Sequence, residues 1–199
     1  LVLRAVRAHA LDGVGVVLIG NFRLSAAGRV TRVELGDLVA EQEIALVVEL
    51  AVAAGVPAPL ALAVRTAAED GSLADNEQIV TLRPVPAAEA GAERSDPVVV
   101  RTVAEHLAAA ARIEALQRSR AGDHDEAGRF LCEAADAITA LADGHDEALA
   151  LARALRAEDV ELMAGLPPLE RKREYYDAFA CLCSRDTTGR ARRSKKPVS

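Results

Sequence analysis

Two short segments of the chain combine histidine with acidic residues, the residue types that bind metal ions or move protons. Their sequences are nearly the same: Gly122-Asp123-His124-Asp125-Glu126-Ala127 and Asp143-Gly144-His145-Asp146-Glu147-Ala148. A metal site built from His124, His145 and their acids is one interpretation, but the spacing matches no metal-ligand signature. In the other interpretation each glycine ends one helix, and the acids stabilise the first turn of the next, where the helix dipole favours negative charge. We therefore predict that the two segments cap helices. We predict no metal ligands and no cofactor in this chain.

The three cysteines, Cys132, Cys181 and Cys183, are too few for a disulfide framework in a chain of this length. Reduced thiols are the simpler interpretation, and they favour a cytoplasmic location. Cys181 and Cys183 are two residues apart on a predicted helix, so their side chains point to different faces. We expect one buried and one exposed thiol, and no redox pair.

Other reactive residue types are also better explained by folding. His106 lies beside the apolar stripe of its helix and is expected at the edge of a core. Arg171-Lys172-Arg173 is expected to be a solvated helix face, since charge runs usually are. The chain has no Gly-x-Ser-x-Gly elbow and no glycine-rich phosphate loop. We therefore predict no catalytic residues and no enzymatic activity.

The elements that would position these residues change type near residue 95. Ser95 or Asp96 is suited to cap a helix whose first residue is Pro97. The helix is predicted to end near Gly122. Its apolar positions recur at steps of three and four, which predicts one inward face: Val99, Val103, Leu107, Ala110, Ile113 and Leu116.

Before this helix the apolar residues alternate in twos, which is typical of strands. Turn signals separate six predicted strands: Leu1–His9, Gly13–Ile19, Arg29–Leu35, Glu43–Val52, Leu60–Thr66 and Gln78–Val85. In the strand Glu43–Val52, the face with Ile44, Leu46, Val48, Leu50 and Val52 is predicted to be inward, and the strand to be central in its sheet. With no crossover helices between them, these strands predict an antiparallel β-sandwich over residues 1–86.

After the first helix, three more are predicted: about 123–142, about 145–163, and one that follows Leu166-Pro167-Pro168. Short connections favour an antiparallel α-helical bundle of about four helices over residues 96–184. Residues 87–95 are predicted to be a linker, and residues 185–199 a disordered basic tail. The predicted fold class is therefore α+β, with the sandwich first and the bundle second.

Composition and charge narrow the classes of partner. Hydrophobic residues make up 51% of the 199 residues, with three Phe, two Tyr and no Trp. Few aromatics argue against stacking on nucleic-acid bases, and no apolar run has the length of a membrane span. The net charge is −4 over residues 1–95, −7 over residues 96–184 and +5 over residues 185–199. We expect a protein partner rather than nucleic acid or a membrane.

A set of short motifs, in the same order along the chain, resembles the β region and helical segment that follow the von Willebrand factor type A domain in many bacterial proteins. The motifs are Thr31-Arg32-Val33-Glu34-Leu35-Gly36-Asp37-Leu38, Glu41-x-Glu43 with the strand to Leu50, Ser95-Asp96-Pro97-Val98-Val99, Arg120-Ala121-Gly122-Asp123 with Glu126-Ala127, and Lys172-Arg173-Glu174-Tyr175-Tyr176. The resemblance implies the C-terminal half of such a protein. The Asp-x-Ser-x-Ser magnesium motif of the type A domain has no counterpart here, so that metal site transfers to no residue.

Three functions are compatible with these observations. The resemblance implies a non-catalytic scaffold module that supports an upstream type A domain and mediates association between proteins. The second is a tetratricopeptide-like helical hairpin over Ala111 to Ala142 that binds peptides, although such repeats need stacked neighbours. The third is a metal-dependent hydrolase that uses the His/Asp turns, and the site criteria favour it least.

Overall fold

The computed structural model contains strands in the first part of the chain and helices in the second, which confirms a mixed fold of this order. It divides into two compact units: Leu1–Glu43 with Val48–Glu93 and Arg193–Ser199, and Ile44–Val47 with Arg94–Arg192. The structure describes residues 3–9, 14–20, 22–27, 30–35, 44–53, 60–68, 76–83, 85, 89, 94–158, 165–183 and 185. Most of the predicted linker 87–95 and all of the predicted tail 185–199 except Arg185 lie outside these residues.

Seven strands are described: β1 Leu3–His9, β2 Val14–Ile19, β3 Arg23–Ala27, β4 Val30–Glu34, β5 Val47–Val52, β6 Leu60–Ala68 and β7 Asn76–Leu82. Five of them form one sheet in the order β3-β4-β1-β6-β7, and β2 pairs with β5 in a second, two-stranded sheet. The pairings of the larger sheet are antiparallel, for example Val6 opposite Val33 and Leu62 opposite Val80. This agrees with the absence of crossover helices in the sequence.

The strand predictions need three corrections. β3 was not predicted, because its sequence Arg-Leu-Ser-Ala-Ala has no alternating apolar pattern. The strand predicted over Glu43–Val52 begins only at Val47, and it lies in the two-stranded sheet instead of a central position. Its predicted inward face was wrong in part: Ile44, Leu46 and Leu50 are half-buried, but Val48 and Val52 are exposed, and Val47 on the other face is buried.

Four helices are described after the strands: α1 Pro97–Ala121, α2 His124–Leu141, α3 Asp146–Arg156 and α4 Pro168–Leu182. Three agree closely with the predicted bounds. α3 ends at Arg156 instead of near residue 163, and residues 159–164 lie outside the described part of the chain. α1 contacts α2, α3 and α4, and α2 also contacts α3.

The start and end of α1 follow the sequence signals. Oδ1 of Asp96 accepts from the backbone N–H groups of Val98 and Val99 at 2.7 and 3.3 Å. Pro97 occupies the first helical position, where its missing N–H costs nothing. At the other end Gly122 has φ of 87°, a left-handed conformation that residues with a Cβ adopt at a cost.

α1 buries two faces, where the sequence predicted one. The first face packs on α2 and α3 in a single apolar cluster. Its α1 members are Val100, Ala104, Ala108, Ala111 and Ala115. The second face packs on α4 through Ala109, which clusters with Ala178 and Leu182. The predicted stripe was therefore wrong at its start: Val99 is 56% exposed, whereas Val100 is 1% exposed.

Candidate functional site

The repeated His/Asp segments form helix junctions, as the capping interpretation predicted. Gly122 and Gly144 both have positive φ, and acids occupy the first turns of α2 and α3. The position of the histidine relative to the helix start differs by one residue. His124 is the first residue of α2, whereas His145 is the N-cap of α3. Asp143 also has positive φ, so two consecutive residues of the second junction, Asp143 and Gly144, have a left-handed backbone conformation.

The structure does not bring His124 and His145 into one cluster with acids. His124 is exposed, and Nε2 of His145 donates to the backbone carbonyl of Ser95 at 3.3 Å. Among the residues that the structure describes, no group of three His, Cys, Asp or Glu side chains is placed to hold a metal ion. That these histidines bind no metal in solution stays a prediction.

His106 and the cysteines differ from their predicted environments. His106 is buried, and its Nδ1 donates to the carbonyl of Thr102 at 2.9 Å, while within the described chain its Nε2 has no hydrogen-bond partner. Cys181 and Cys183 are both half-buried, so the expected contrast between them was wrong. Burial raises the pKa of the Cys183 thiol, and the charge of Arg185 opposes this shift.

The basic run on α4 is mostly solvated, with one half-buried member. Lys172 and Arg173 are exposed, and Arg171 is half-buried. The ammonium group of Lys172 lies 5.6 Å from the ring centre of Tyr176, and Nε of Arg173 lies 3.9 Å from the carboxylate of Asp177. Exposed contacts of this kind contribute little to stability.

A cavity of about 450 Å³ lies between α1, α3 and α4, and it is the strongest candidate for a functional site. Its volume is within the range of typical ligand pockets, about 300–1,000 Å³. We call it the acidic groove. It is lined by Glu105, Ala108, Ala109, Arg112, Leu151, Glu158, Glu174, Asp177, Ala178 and Cys181.

The lining of the acidic groove contains four carboxylates and one guanidinium group. Arg112 donates to a single carboxylate oxygen of Glu158 through Nε at 2.8 Å and through Nη2 at 2.6 Å. Carboxylates therefore outnumber bases in the lining, although Arg173, which is outside the lining, lies 3.9 Å from the carboxylate of Asp177. Glu174 is exposed and has no ion-pair partner among the described residues. The groove therefore attracts positive charge.

Small side chains form the apolar part of the groove. Ala108 and Ala109 on α1 and Ala178 on α4 are buried, and Leu151 on α3 is half-buried. An arginine or lysine side chain would place its aliphatic stem on such a surface and its charged end among the carboxylates. The volume and the lining charges of the groove are thus compatible with basic side chains.

A second cavity, of about 310 Å³, lies where α1 and α3 begin and is lined in part by Arg101, His145, Asp146 and Glu147. The N-termini of two helices would favour a bound anion, because their backbone N–H groups and helix dipoles attract negative charge. However, Asp96 already accepts from the first N–H groups of α1, and the acids Asp146 and Glu147 occupy the first turn of α3. Carboxylates of the chain itself thus supply the negative charge that a bound anion would bring.

Sequence reasoning missed the residues of the acidic groove. Glu105 and Arg112 are two helical turns apart on α1, and Glu174 and Asp177 lie on one side of α4, but Glu158 follows the end of α3. The acids Glu174 and Asp177 next to Ala178 on α4 are a sequence signal that could have indicated an acidic surface. Nothing in the sequence shows that the three faces meet.

None of the described helices is long and apolar enough to cross a membrane. Comparisons with protein-family models, with curated proteins and with solved structures find no match for this chain.

Proposed function

We propose that this chain is a non-catalytic protein-interaction module. The unit that contains α1 to α4, which we call the helical unit, binds a segment rich in lysine or arginine. The observation that carries the proposal is the acidic groove, whose lining contains the four carboxylates Glu105, Glu158, Glu174 and Asp177 and a single base, Arg112. The net charge of −7 over residues 96–184 favours the same class of partner through long-range attraction.

The size of the groove limits what enters it. A volume of about 450 Å³ accommodates one or two long side chains and excludes a helix. The partner would thus be an extended peptide segment that inserts basic side chains while its backbone remains outside. Binding of this type is sensitive to salt, because exposed charges are screened.

A labelled peptide that alternates arginine with alanine tests the proposal, with a peptide that replaces each arginine by glutamine as its control. Fluorescence anisotropy should show binding of the arginine peptide at low salt and its loss at high salt. The double variant Glu174→Gln with Asp177→Asn should weaken binding about tenfold, equivalent to about 1.4 kcal/mol. Both positions are at least partly solvent-accessible, so the variant should fold normally.

The matched control removes two carboxylates away from the groove. Asp125 and Glu133 lie on α2 and are exposed, and neither lines the groove. The double variant Asp125→Asn with Glu133→Gln should bind the arginine peptide nearly as well as the parent chain. Equal losses in both variants, or no binding by the parent chain at low salt, would contradict a specific role for the groove.

We also propose kinship with the region that follows the von Willebrand factor type A domain, with this module supporting such a domain. The ordered motifs from Thr31 to Tyr176 support the idea. The residues encoded before Leu1 test it, because they should contain the Asp-x-Ser-x-Ser motif of a type A domain. A different upstream sequence would remove this kinship and leave the proposal about the groove unaffected.

Two finer structural features belong to the same proposal. The strands would form a sandwich, since Val33 is 4% exposed and alternate residues of β2 are half-buried. The four helices would form a bundle around α1. Nuclear Overhauser effects between methyl groups of the two-stranded sheet and methyl groups of the five-stranded sheet would support the sandwich, and their absence would argue against it. The free cysteines favour the cytoplasm, a reducing compartment.

A further inference from the structure

The strand β7 lies at the end of the five-stranded sheet. It pairs with β6 on one side, and among the described residues no strand pairs with its other edge. Ile79 and Val80 are 65% and 45% exposed. Because neighbouring residues of a strand point to opposite faces, β7 exposes an apolar side chain on each face of the sheet.

Such an edge is unusual for a protein that stays monomeric. Natural sheets protect their edges with charged residues, prolines, bulges or covering elements, because a free edge is a template for pairing with another chain. The centre of β7 has neither a charged residue nor a proline: Gln78-Ile79-Val80-Thr81-Leu82 is uncharged and rich in residues that favour strands. Gln78 and Thr81 are also exposed.

The sequence of β7, taken together with Arg83 directly after its last residue, is complementary to itself. The uncharged centre lies between Glu77 and Arg83. When two copies of the strand are aligned antiparallel with Val80 opposite Val80, position 77 of each copy lies opposite position 83 of the other. Opposite charges then meet at both ends of the pair, and Ile79 lies opposite Thr81. Other antiparallel alignments do not place these two charged positions opposite each other.

We propose that β7 is a homodimer interface at which a second copy of this chain adds its own β7 in this alignment. The contact is isologous, so it closes with two copies and produces one continuous sheet across both. Charge complementarity favours a second copy of the chain as the partner strand, and this interface uses no residue of the acidic groove. A single pair of strands buries less area than a standard interface, so the dimer should be weak and reversible.

Sedimentation equilibrium of the full chain tests the proposal over a range from micromolar to millimolar concentration. The average mass should rise from that of one chain toward that of two. Val80→Lys places two like charges opposite each other on the twofold axis, and it should weaken dimerisation at least about tenfold. A parent chain that remains monomeric throughout the range, or that grows beyond two copies, would overturn the proposal.

Charge exchange tests the alignment. Arg83→Glu places an acid opposite Glu77 at both ends and should weaken the dimer, whereas Arg153→Glu on α3, at an exposed position, should not. Adding Glu77→Arg to Arg83→Glu restores opposite charges and should restore dimerisation. Because Arg65 lies opposite Glu77 within the sheet, this rescue variant also carries Arg65→Glu.

Circular dichroism of each variant confirms that its fold is retained before the masses are compared. A dimer that Val80→Lys and Arg83→Glu leave unchanged would show that the interface lies elsewhere. A rescue variant that is folded but remains monomeric would refute this alignment. Peptide binding in the acidic groove is measured separately, so the two proposals fail or succeed independently.

Discussion

Branched aliphatic side chains are buried in the helical unit but exposed at the end of the five-stranded sheet. Val100 and Ile138 are completely enclosed within the helical unit, whereas Ile79 and Val80 of β7 face solvent. Burial of such a side chain stabilises a protein by about 1.5–3 kcal/mol, and an exposed one contributes nothing until something covers it. The helical unit completes its own core, but the edge of the sheet retains apolar surface for a partner.

Alanine explains how the helical unit closes with few large side chains. Ala104, Ala108, Ala111 and Ala115 form much of the inner face of α1. Small residues let helix backbones approach closely, and Leu131, Ile138 and Leu155 then fill the remaining space. A core of this composition has little tolerance for lost volume.

The largest effect is expected from a cavity in this core. Leu131→Ala should lower the free energy of unfolding by about 2–5 kcal/mol, because Leu131 is almost fully buried on α2. Urea unfolding followed by the helical circular dichroism signal measures the change. Leu169→Ala on α4 is the control: that side chain is 79% exposed, so the loss should stay within about 0.5 kcal/mol. Similar losses in the two variants would show that the helical core is not closed as described.

A smaller effect is expected at the junction between α2 and α3. Gly144 has φ of 82°, and a Cβ added there would meet no atom within 4 Å, so only the backbone conformation opposes a side chain. Gly144→Ala should cost about 1 kcal/mol. Thermal unfolding compares it with Gly165→Ala, where no positive φ occurs and the space is also open. Equal melting temperatures for the two variants would show that the left-handed conformation at Gly144 does not limit stability.

The smallest effect is expected at the exposed edge of the sheet. Ile79→Thr keeps a β-branched side chain, so the strand propensity is maintained, and the monomer should lose no more than about 0.5 kcal/mol. Unfolding at a concentration below the onset of dimerisation measures this value. A loss as large as that of Leu131→Ala would mean that Ile79 is covered in solution. The contrast between the two regions would then disappear.

The accuracy of the sequence predictions follows the range of the interactions involved. The sequence of α1 identified its start at Asp96 and Pro97 and its end at Gly122, since backbone groups within four residues decide both. It did not identify β3, whose pairing with β4 places Leu24 opposite Val33 and Ala26 opposite Thr31. Without an alternating pattern of its own, β3 depends on that neighbour.

By itself, then, the sequence determined the order of strands before helices, both ends of α1 and the helix junctions at the repeated His/Asp segments, because these depend on local backbone chemistry. Only the tertiary structure decided that α1 buries Val100 instead of Val99, since three neighbouring helices select the faces that are covered. It also decided that Arg112 meets Glu158 across 46 residues. Contacts between residues so far apart depend on how whole elements pack, and no local pattern in the chain encodes them.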